Sequence, residues 1–334
     1  WLNENRIAYI QDKGGDENIH IYAVDINGEK DMDLTPFENV QARIIDDLED
    51  NPNYMIIALN NRDARIHDAF RLDINSGKMD LIAENPGNIM HWMTDNDGKL
   101  RIALSTDGVN QTLLYRSNEQ EDFKSILTTN FKENVSPEFF SFDNDFLYVS
   151  SNRGRDKNAI FKFDLEEGKE TELIFEHSDV DVAGLLRSKK RKKITGVSYV
   201  TDKRQIEFFD SWRENLQNNL ESKLPNVEVA ITELNDEETK AILVTYSDKS
   251  RGTYYYYDII DDKLVKLADL SPWLNEKDMS EMKSISYKSR DGLTINGYLT
   301  LPKGIKPKNL PVVINPHGGP WVRDYWGFNP EIQY

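Results

Sequence analysis

The residues best suited to chemistry lie near the end of the sequence, where Val312-Val313-Ile314-Asn315-Pro316 leads into His317-Gly318-Gly319-Pro320-Trp321. Glycine lacks a Cβ, so the main chain can approach a reacting carbonyl closely and can adopt dihedral angles closed to other residues. A fixed amide dipole in such a place stabilises negative charge that develops in a transition state, by about 3–4 kcal/mol for one donor. The segment therefore predicts a main-chain site for developing negative charge.

A nucleophile to accompany this loop is missing from the sequence. In α/β-hydrolases a loop of this kind follows a buried strand and supplies one oxyanion N–H, and the triad comes later, in the order Ser, Asp or Glu, His. Only residues 321–334 follow the loop here, and Gly-x-Ser-x-Gly does not occur. The nearest match, Gly196–Val200, lacks the second glycine, and we interpret its Ser198 as a strand residue. We expect the triad beyond Tyr334 and an inert chain without it.

The composition excludes several classes of function. The 334 residues include 41 basic and 58 acidic side chains, a net charge of −17, which argues against nucleic acid as a partner. Apolar runs such as Tyr54–Leu59 have the length of a strand and fall short of the ~18 residues that span a membrane. We therefore expect neither nucleic acid nor a membrane as a partner.

Neither a metal nor a cofactor is expected. The chain has no cysteine, which rules out disulfides and thiolate metal sites and is compatible with the cytoplasm, the periplasm and secretion. The five histidines do not show the His-Glu-x-x-His spacing. The turn Asp95–Gly98 lacks the later ligands of a calcium loop.

A repeated pair of strands runs through the first 270 residues. Each copy has one strand, a polar turn and a second strand, and the copies follow one another in steps of 45 to 50 residues. The equivalent positions are Tyr9, Ala58, Leu104, Val149, Tyr199 and Thr245. A period of this length built from strands is typical of a β-propeller with one four-stranded sheet per blade. We predict six visible blades; a two-sheet sandwich is the alternative and explains the constant spacing less well.

The fifth repeat carries a predicted helix. Residues Ser211–Leu224 are good helix formers, and Leu216, Leu220 and Leu224 recur at intervals of four to make one apolar stripe. Ser211 is predicted as the N-cap, and Pro225 as the stop.

The pattern changes after residue 270. Ser284–Lys288 and Leu293–Leu301 flank the turn Ser289–Gly292 and predict an antiparallel hairpin, followed by a strand at Val312–Ile314. This order matches the opening strands of an α/β-hydrolase sheet. We expect a β-propeller over residues 1–270, and a linker with the first strands of a truncated α/β-hydrolase domain over 271–334.

The chain resembles the prolyl oligopeptidase family of serine peptidases, in its acylaminoacyl-peptidase and dipeptidyl-peptidase-like branch. The resemblance runs nearly from end to end. It rests on Tyr9–Asp12 with Ile21–Asp25 near the start, on Ser289–Leu293 with Gly297–Leu299, and on Pro311–Trp321. The last two motifs, in this order behind a propeller, are specific.

The resemblance implies a propeller that caps an α/β-hydrolase domain, with a cavity for short peptide substrates between them. It implies that Gly319 donates an oxyanion N–H from its backbone, that Gly318 belongs to the loop, and that His317 supports the loop's shape. Trp321 would pack beside the substrate, while the nucleophile, base and acid would lie downstream.

Two departures from the family pattern leave alternatives open. The family commonly has seven blades, so we expect the first blade upstream of Trp1. The Glu-Glu motif that holds a free substrate amine in dipeptidyl peptidases is absent, which places dipeptidyl specificity in doubt. The alternatives are a propeller scaffold with a non-catalytic hydrolase-like tail, and an esterase.

Overall fold

The protein is mainly β. A computed structural model describes residues 1–319 and 322–334, and within these it contains 24 strands, two α-helices and a 3₁₀ helix at Glu276–Asp278. The chain divides into two compact units, Trp1–Ser178 and Asp179–Tyr334. In the part of the chain so described, helices are too short or too polar to traverse a bilayer.

The first unit consists of four antiparallel sheets in which consecutive strands are neighbours. The strands are β1 (Arg6–Gln11), β2 (His20–Asp25), β3 (Met32–Asp33), β4 (Ala42–Asp46), β5 (Tyr54–Asp63), β6 (Ile66–Asp73), β7 (Met79–Ala83), β8 (Ile89–Thr94), β9 (Leu100–Thr106), β10 (Asn110–Tyr115), β11 (Lys124–Asn130), β12 (Val135–Phe140), β13 (Phe146–Ser151), β14 (Ala159–Asp164) and β15 (Lys169–Phe175). The first sheet has three strands and the next three have four each.

The second unit contains a three-stranded sheet, a four-stranded sheet and a separate hairpin. Its elements are β16 (Val182–Ser188), β17 (Lys193–Val200), β18 (Arg204–Phe208), α1 (Ser211–Lys223), β19 (Glu228–Leu234), β20 (Lys240–Tyr246), β21 (Thr253–Asp258), β22 (Lys263–Asp269), β23 (Met282–Lys288), β24 (Thr294–Thr300) and α2 (Pro330–Gln333). Strands β23 and β24 form the hairpin predicted around Ser289–Gly292.

The six predicted repeats are confirmed as six propeller blades. Every predicted pair is hydrogen-bonded and antiparallel: β1 with β2, β5 with β6, β9 with β10, β13 with β14, β17 with β18, and β20 with β21. In five sheets a further strand precedes the pair and was not predicted from the sequence: β4, β8, β12, β16 and β19. Each of these carries a register shift against its neighbour, which breaks the alternation of polar and apolar residues that marks a strand.

The second blade, β4–β7, is buried on both faces. In β5, Ile57 packs into the cluster that includes Ile21, while the next residue, Ala58, packs into a different cluster with Trp92 and Leu100. Successive side chains of a strand point to opposite faces, so a strand covered on both sides becomes apolar throughout. This accounts for the unbroken apolar run in β5, which a half-exposed strand would not have.

Helix α1 follows β18 and packs against the next sheet, β19–β22. Leu216 and Leu220 are buried in one cluster with Leu243 and Tyr257, as the apolar stripe predicted. The predicted N-cap was wrong by one position: Asp210 caps the helix, its carboxylate accepting the Arg213 N–H at 2.9 Å. A carboxylate is a strong cap and also favours the positive end of the helix dipole, so it outcompetes the adjacent serine.

Asp210 also anchors an ion-pair network. It is 4% exposed and pairs with Arg191 at 2.6 Å and with Lys193. Burial by itself would raise the pKa of Asp210, but the hydrogen bonds from Lys193 and Arg191 outweigh it and lower the pKa to about 2. The carboxylate therefore stays ionised across the physiological range, and of its two cations Arg191 also pairs with Glu238 at 2.7 Å.

Replacing Asp210 should separate its two roles. We expect D210A to lower the free energy of unfolding by about 2 kcal/mol, because it removes the helix cap and one ion-pair partner of Arg191 and Lys193. D210N keeps a capping oxygen and loses the charge, so it should cost less. The ionised group stabilises fully above its unfolded pKa of about 4, and this contribution disappears as pH falls towards 2. Urea unfolding at about pH 7 and about pH 3 measures both; equal pH dependence of D210N and the wild type contradicts the assignment.

Gly252 lies directly before β21, where the backbones of β20 and β21 approach each other closely. Its φ is 115°, and a Cβ there would lie 1.7 Å from the Thr245 carbonyl oxygen. Gly28 has a similar φ of 82° but nothing within 4 Å of the same position. Both alanine variants meet a cost of about 1 kcal/mol for positive φ. We expect G252A to lose about 2 kcal/mol more than G28A in urea unfolding, because only it forces the backbone apart; similar losses would contradict the close contact.

Candidate active site

The apolar segment that precedes the glycine loop is almost completely exposed. Val312, Val313 and Ile314 are 81%, 91% and 84% accessible, and the strand predicted there is not formed. In the described part of the chain these residues have no neighbouring strand with which to pair, and a strand forms only when its N–H and C=O groups find partners. Three consecutive β-branched residues in this state form an apolar patch of a kind that folded proteins normally cover.

The glycine loop itself lies on the surface. The ring Nδ1 of His317 donates to the Gly318 carbonyl oxygen at 2.7 Å. Gly319 has a φ of 128°, a conformation that strongly favours glycine. Among the residues described, no main-chain acceptor is recorded for the Gly319 N–H. The predicted substrate-contacting residue, Trp321, lies outside the described residues.

The hairpin that precedes the loop is tied to the propeller sheets of its own unit. The Tyr298 hydroxyl donates to the Asp202 carbonyl oxygen at 2.6 Å, and the Met282 N–H donates to the buried carboxylate of Asp248 at 2.8 Å. Asp202 lies in the turn between β17 and β18, and Asp248 follows β20. One side of the hairpin therefore rests on two successive blades.

The segment that follows the loop is attached to the same place. The Arg323 guanidinium donates from Nη1 to the Val200 carbonyl and from Nη2 to the Thr201 carbonyl, both at 2.6 Å. The indole N–H of Trp326 donates to the Met282 carbonyl oxygen at 3.0 Å. Both side chains are half-buried, whereas His317, Gly318 and Gly319 are exposed.

The end of the chain adds a third attachment. The Gln333 side-chain amide bridges the Asp248 and Ser280 carbonyl oxygens at 3.0 and 2.8 Å and accepts the Ser280 N–H. Gln333 is held in place by the short helix α2, which Asn329 caps. The attachments thus lie on either side of the glycine loop along the chain, at Tyr298 before it and at Arg323 and Gln333 after it.

A polar cleft opens beside these attachments. It has a volume of about 580 Å³, and Lys203, Glu228, Lys283 and Trp326 are among the residues that line it. The Lys203 ammonium lies 3.7 Å from the centre of the Trp326 ring and 2.8 Å from a Glu228 carboxylate oxygen. Charges of both signs make the cleft suitable for a polar ligand rather than an apolar one.

The glycine loop is predicted by the sequence, whereas the side chains that attach its flanking segments are not. Arg323 and Gln333 were not singled out, because both donate mainly to main-chain carbonyls, which leave no trace in a sequence. Trp326 is a half-buried donor to the main chain. Ser198 lies within β17 opposite Ile206, which confirms the interpretation of this serine as a strand residue.

Solved structures with this fold are peptidases of known architecture. A prolyl endopeptidase superposes with a TM-score of 0.63 at 13% identity, covering 90% of this chain and 46% of that one. A puromycin hydrolase gives the same TM-score and identity, covering 98% of this chain and 56% of that one. Prolyl oligopeptidase B from Galerina marginata gives 0.60 at 14% identity over 90% of this chain and 45% of its own. At such identities the likeness is one of fold.

Closer relatives exist in sequence, although no protein-family profile matches the chain. Dipeptidyl aminopeptidase BIII of Pseudoxanthomonas mexicana is 33% identical over 347 residues, which cover 98% of this chain and 49% of that protein. The chain belongs to the prolyl oligopeptidase family. Dipeptidyl peptidase family member 6 of Caenorhabditis elegans is 23% identical over 367 residues, covering 97% of this chain and 49% of that protein. The chain thus spans about half the length of these two members of the prolyl oligopeptidase family.

The exposure of Val313 leads to a direct test on this chain. We expect V313K to change the free energy of unfolding by no more than about 0.5 kcal/mol and to reduce aggregation, because the side chain already faces solvent. L243K serves as the matched control, since Leu243 is fully buried in the same unit and should not tolerate a charge. Thermal unfolding with light scattering measures both properties; a large loss of stability in V313K would show that the segment is packed in solution.

Proposed function

We propose that this chain is the propeller-bearing part of a serine peptidase that hydrolyses short peptides. In this proposal residues 1–270 form the propeller, and 271–334 are a linker and the first strands of an α/β-hydrolase domain. Membership of the prolyl oligopeptidase family supports the peptidase activity. The small opening that a propeller leaves supports short peptides over folded proteins as substrates.

One observation carries the proposal: the exposed run Val312–Ile314 leads directly into the glycine loop. A run of β-branched residues without a polar partner is suited to a strand buried on both faces of a parallel sheet. In α/β-hydrolases the oxyanion loop follows such a strand. We therefore infer that further strands of the same protein pair with the exposed run and complete the sheet. The adjacent Gly319 N–H then lies in the oxyanion loop that follows this strand.

The chemistry follows from the available donor. A serine supplied by the hydrolase domain attacks the scissile carbonyl, and a histidine takes the serine proton and passes it to the departing amine. The oxyanion of the tetrahedral intermediate accepts a hydrogen bond from the Gly319 N–H. Water then hydrolyses the acyl-enzyme and regenerates the serine. His317 shapes the loop and takes no part in proton transfer.

Labelling with a fluorophosphonate tests this assignment. We expect the whole protein to be labelled at one serine and this chain by itself to remain unlabelled, because the reagent needs a serine activated by a base. Mass spectrometry of the labelled peptide identifies the serine. Labelling of the isolated chain, or no labelling of the whole protein, would refute the proposal.

A substrate panel identifies the branch of the reaction. Peptide anilides with a free amino terminus, the same anilides with an acylated terminus, and acyl esters distinguish aminopeptidase, acylaminoacyl-peptidase and esterase activity. The name of the relative that is 33% identical favours the free amino terminus. We expect turnover of at least one anilide class and no cleavage of a folded globular protein; turnover of esters alone would favour an esterase instead.

A further inference from the structure

The turn between β17 and β18 is a shared attachment point for both flanks of the glycine loop. We call residues Val200–Lys203 the anchor turn. Arg323 donates to the carbonyls of its first two residues, and the Tyr298 hydroxyl donates to the carbonyl of Asp202. The fourth residue, Lys203, places its ammonium over the Trp326 ring. Each residue of this turn is therefore contacted by a segment that precedes or follows the loop, Tyr298 nineteen residues before His317 and Arg323 four residues after Gly319.

Arg323 and Tyr298, which we together call the clamp, also contact each other. Nη2 of Arg323 lies 3.5 Å from the Tyr298 hydroxyl, so the guanidinium spans the gap between the hairpin before the loop and the segment after it. In the described part of the chain, Arg323 has no carboxylate within ion-pair distance. A planar guanidinium with two donors directed at successive carbonyls fixes both distance and orientation, which an ammonium group cannot do.

The attachment lies close to the loop along the chain. Arg323 follows Gly319 by four residues, a length of chain that spans at most about 14 Å. The loop is exposed, and among the described residues no contact other than the one between His317 and Gly318 is recorded for its side chains. Of the contacts with the anchor turn, that of Arg323 is therefore the nearest to the loop along the chain.

We propose that Arg323 is a positioning residue that sets the oxyanion loop relative to the propeller through the anchor turn. This rests on the proposed function, since it concerns the same loop. A displacement of about 1 Å of a catalytic group can cost about 100-fold in rate. Loss of the clamp should therefore lower kcat more than it changes KM.

The test uses the whole protein with four single variants. R323M removes both donors and keeps much of the apolar stem; R323K keeps the charge but can serve one carbonyl well; Y298F removes only the hydroxyl. R290M is the matched control, because Arg290 is an exposed arginine in the β23–β24 turn of the same unit. We expect kcat to fall 10- to 100-fold in R323M, less in R323K, and within two-fold of wild type in R290M, with KM within about two-fold throughout.

A second readout is independent of catalysis. Hydrogen–deuterium exchange of this chain should show faster exchange in R323M at the anchor turn and at residues 317–319, with unchanged exchange in β20 and β21. Thermal unfolding within a few degrees of wild type confirms that the fold is retained. A double variant of Arg323 and Tyr298 should be non-additive, because both donors act on one turn.

The outcomes separate this inference from the proposed function. Absence of hydrolysis and of fluorophosphonate labelling in the wild-type whole protein refutes the proposed function, whatever the variants do. An active wild type with unchanged kcat in R323M overturns the positioning role. Unchanged hydrogen–deuterium exchange at the anchor turn in R323M shows that Arg323 does not hold this turn and overturns the inference. A loss of kcat in R290M as large as that in R323M overturns it as well.

Discussion

The structure depends on the stacking of small antiparallel sheets, none of which can bury two faces without neighbours. Ile57 and Ala58 are adjacent in β5 yet belong to different apolar clusters, because each face of the sheet packs against a different sheet. Burial of apolar surface stabilises the fold by about 25 cal/mol per Å², and a blade gains this stabilisation only when its neighbours are present. This requirement explains why the same strand pair recurs along the chain and why its central residues are apolar without interruption.

Stacking of this kind places the connecting turns at the ends of the sheets, where they are free to interact with other segments. The turn at Val200–Lys203 presents carbonyl groups that its own hairpin does not use, and Arg323 and Tyr298 bind them. The hairpin β23–β24 and the chain terminus gain their places through such main-chain contacts rather than through a core of their own. The exposed residues Val312–Ile314 have no such contacts in the part of the chain that the structure describes.

Much of the fold could be predicted from local patterns. The strand pairs, the turn at Ser289–Gly292 and helix α1 have periodicities and turn residues that act over a few positions, and all are present. The strands that begin five of the sheets escaped because bulges disturb their alternation. The helix cap was misplaced by one residue, since only the structure shows that the carboxylate of Asp210, rather than the hydroxyl of Ser211, meets the free N–H group.

By itself, the sequence determined the repeat, the six blades and the chemical character of the loop at His317–Gly319, because backbone freedom and apolar periodicity are properties of residues and their near neighbours. Only the tertiary structure decided which carbonyls Arg323 meets and that both flanks of the loop share one turn. Those contacts join residues more than 90 positions apart, and main-chain acceptors are the same in every residue. Residue types alone therefore do not reveal such long-range contacts.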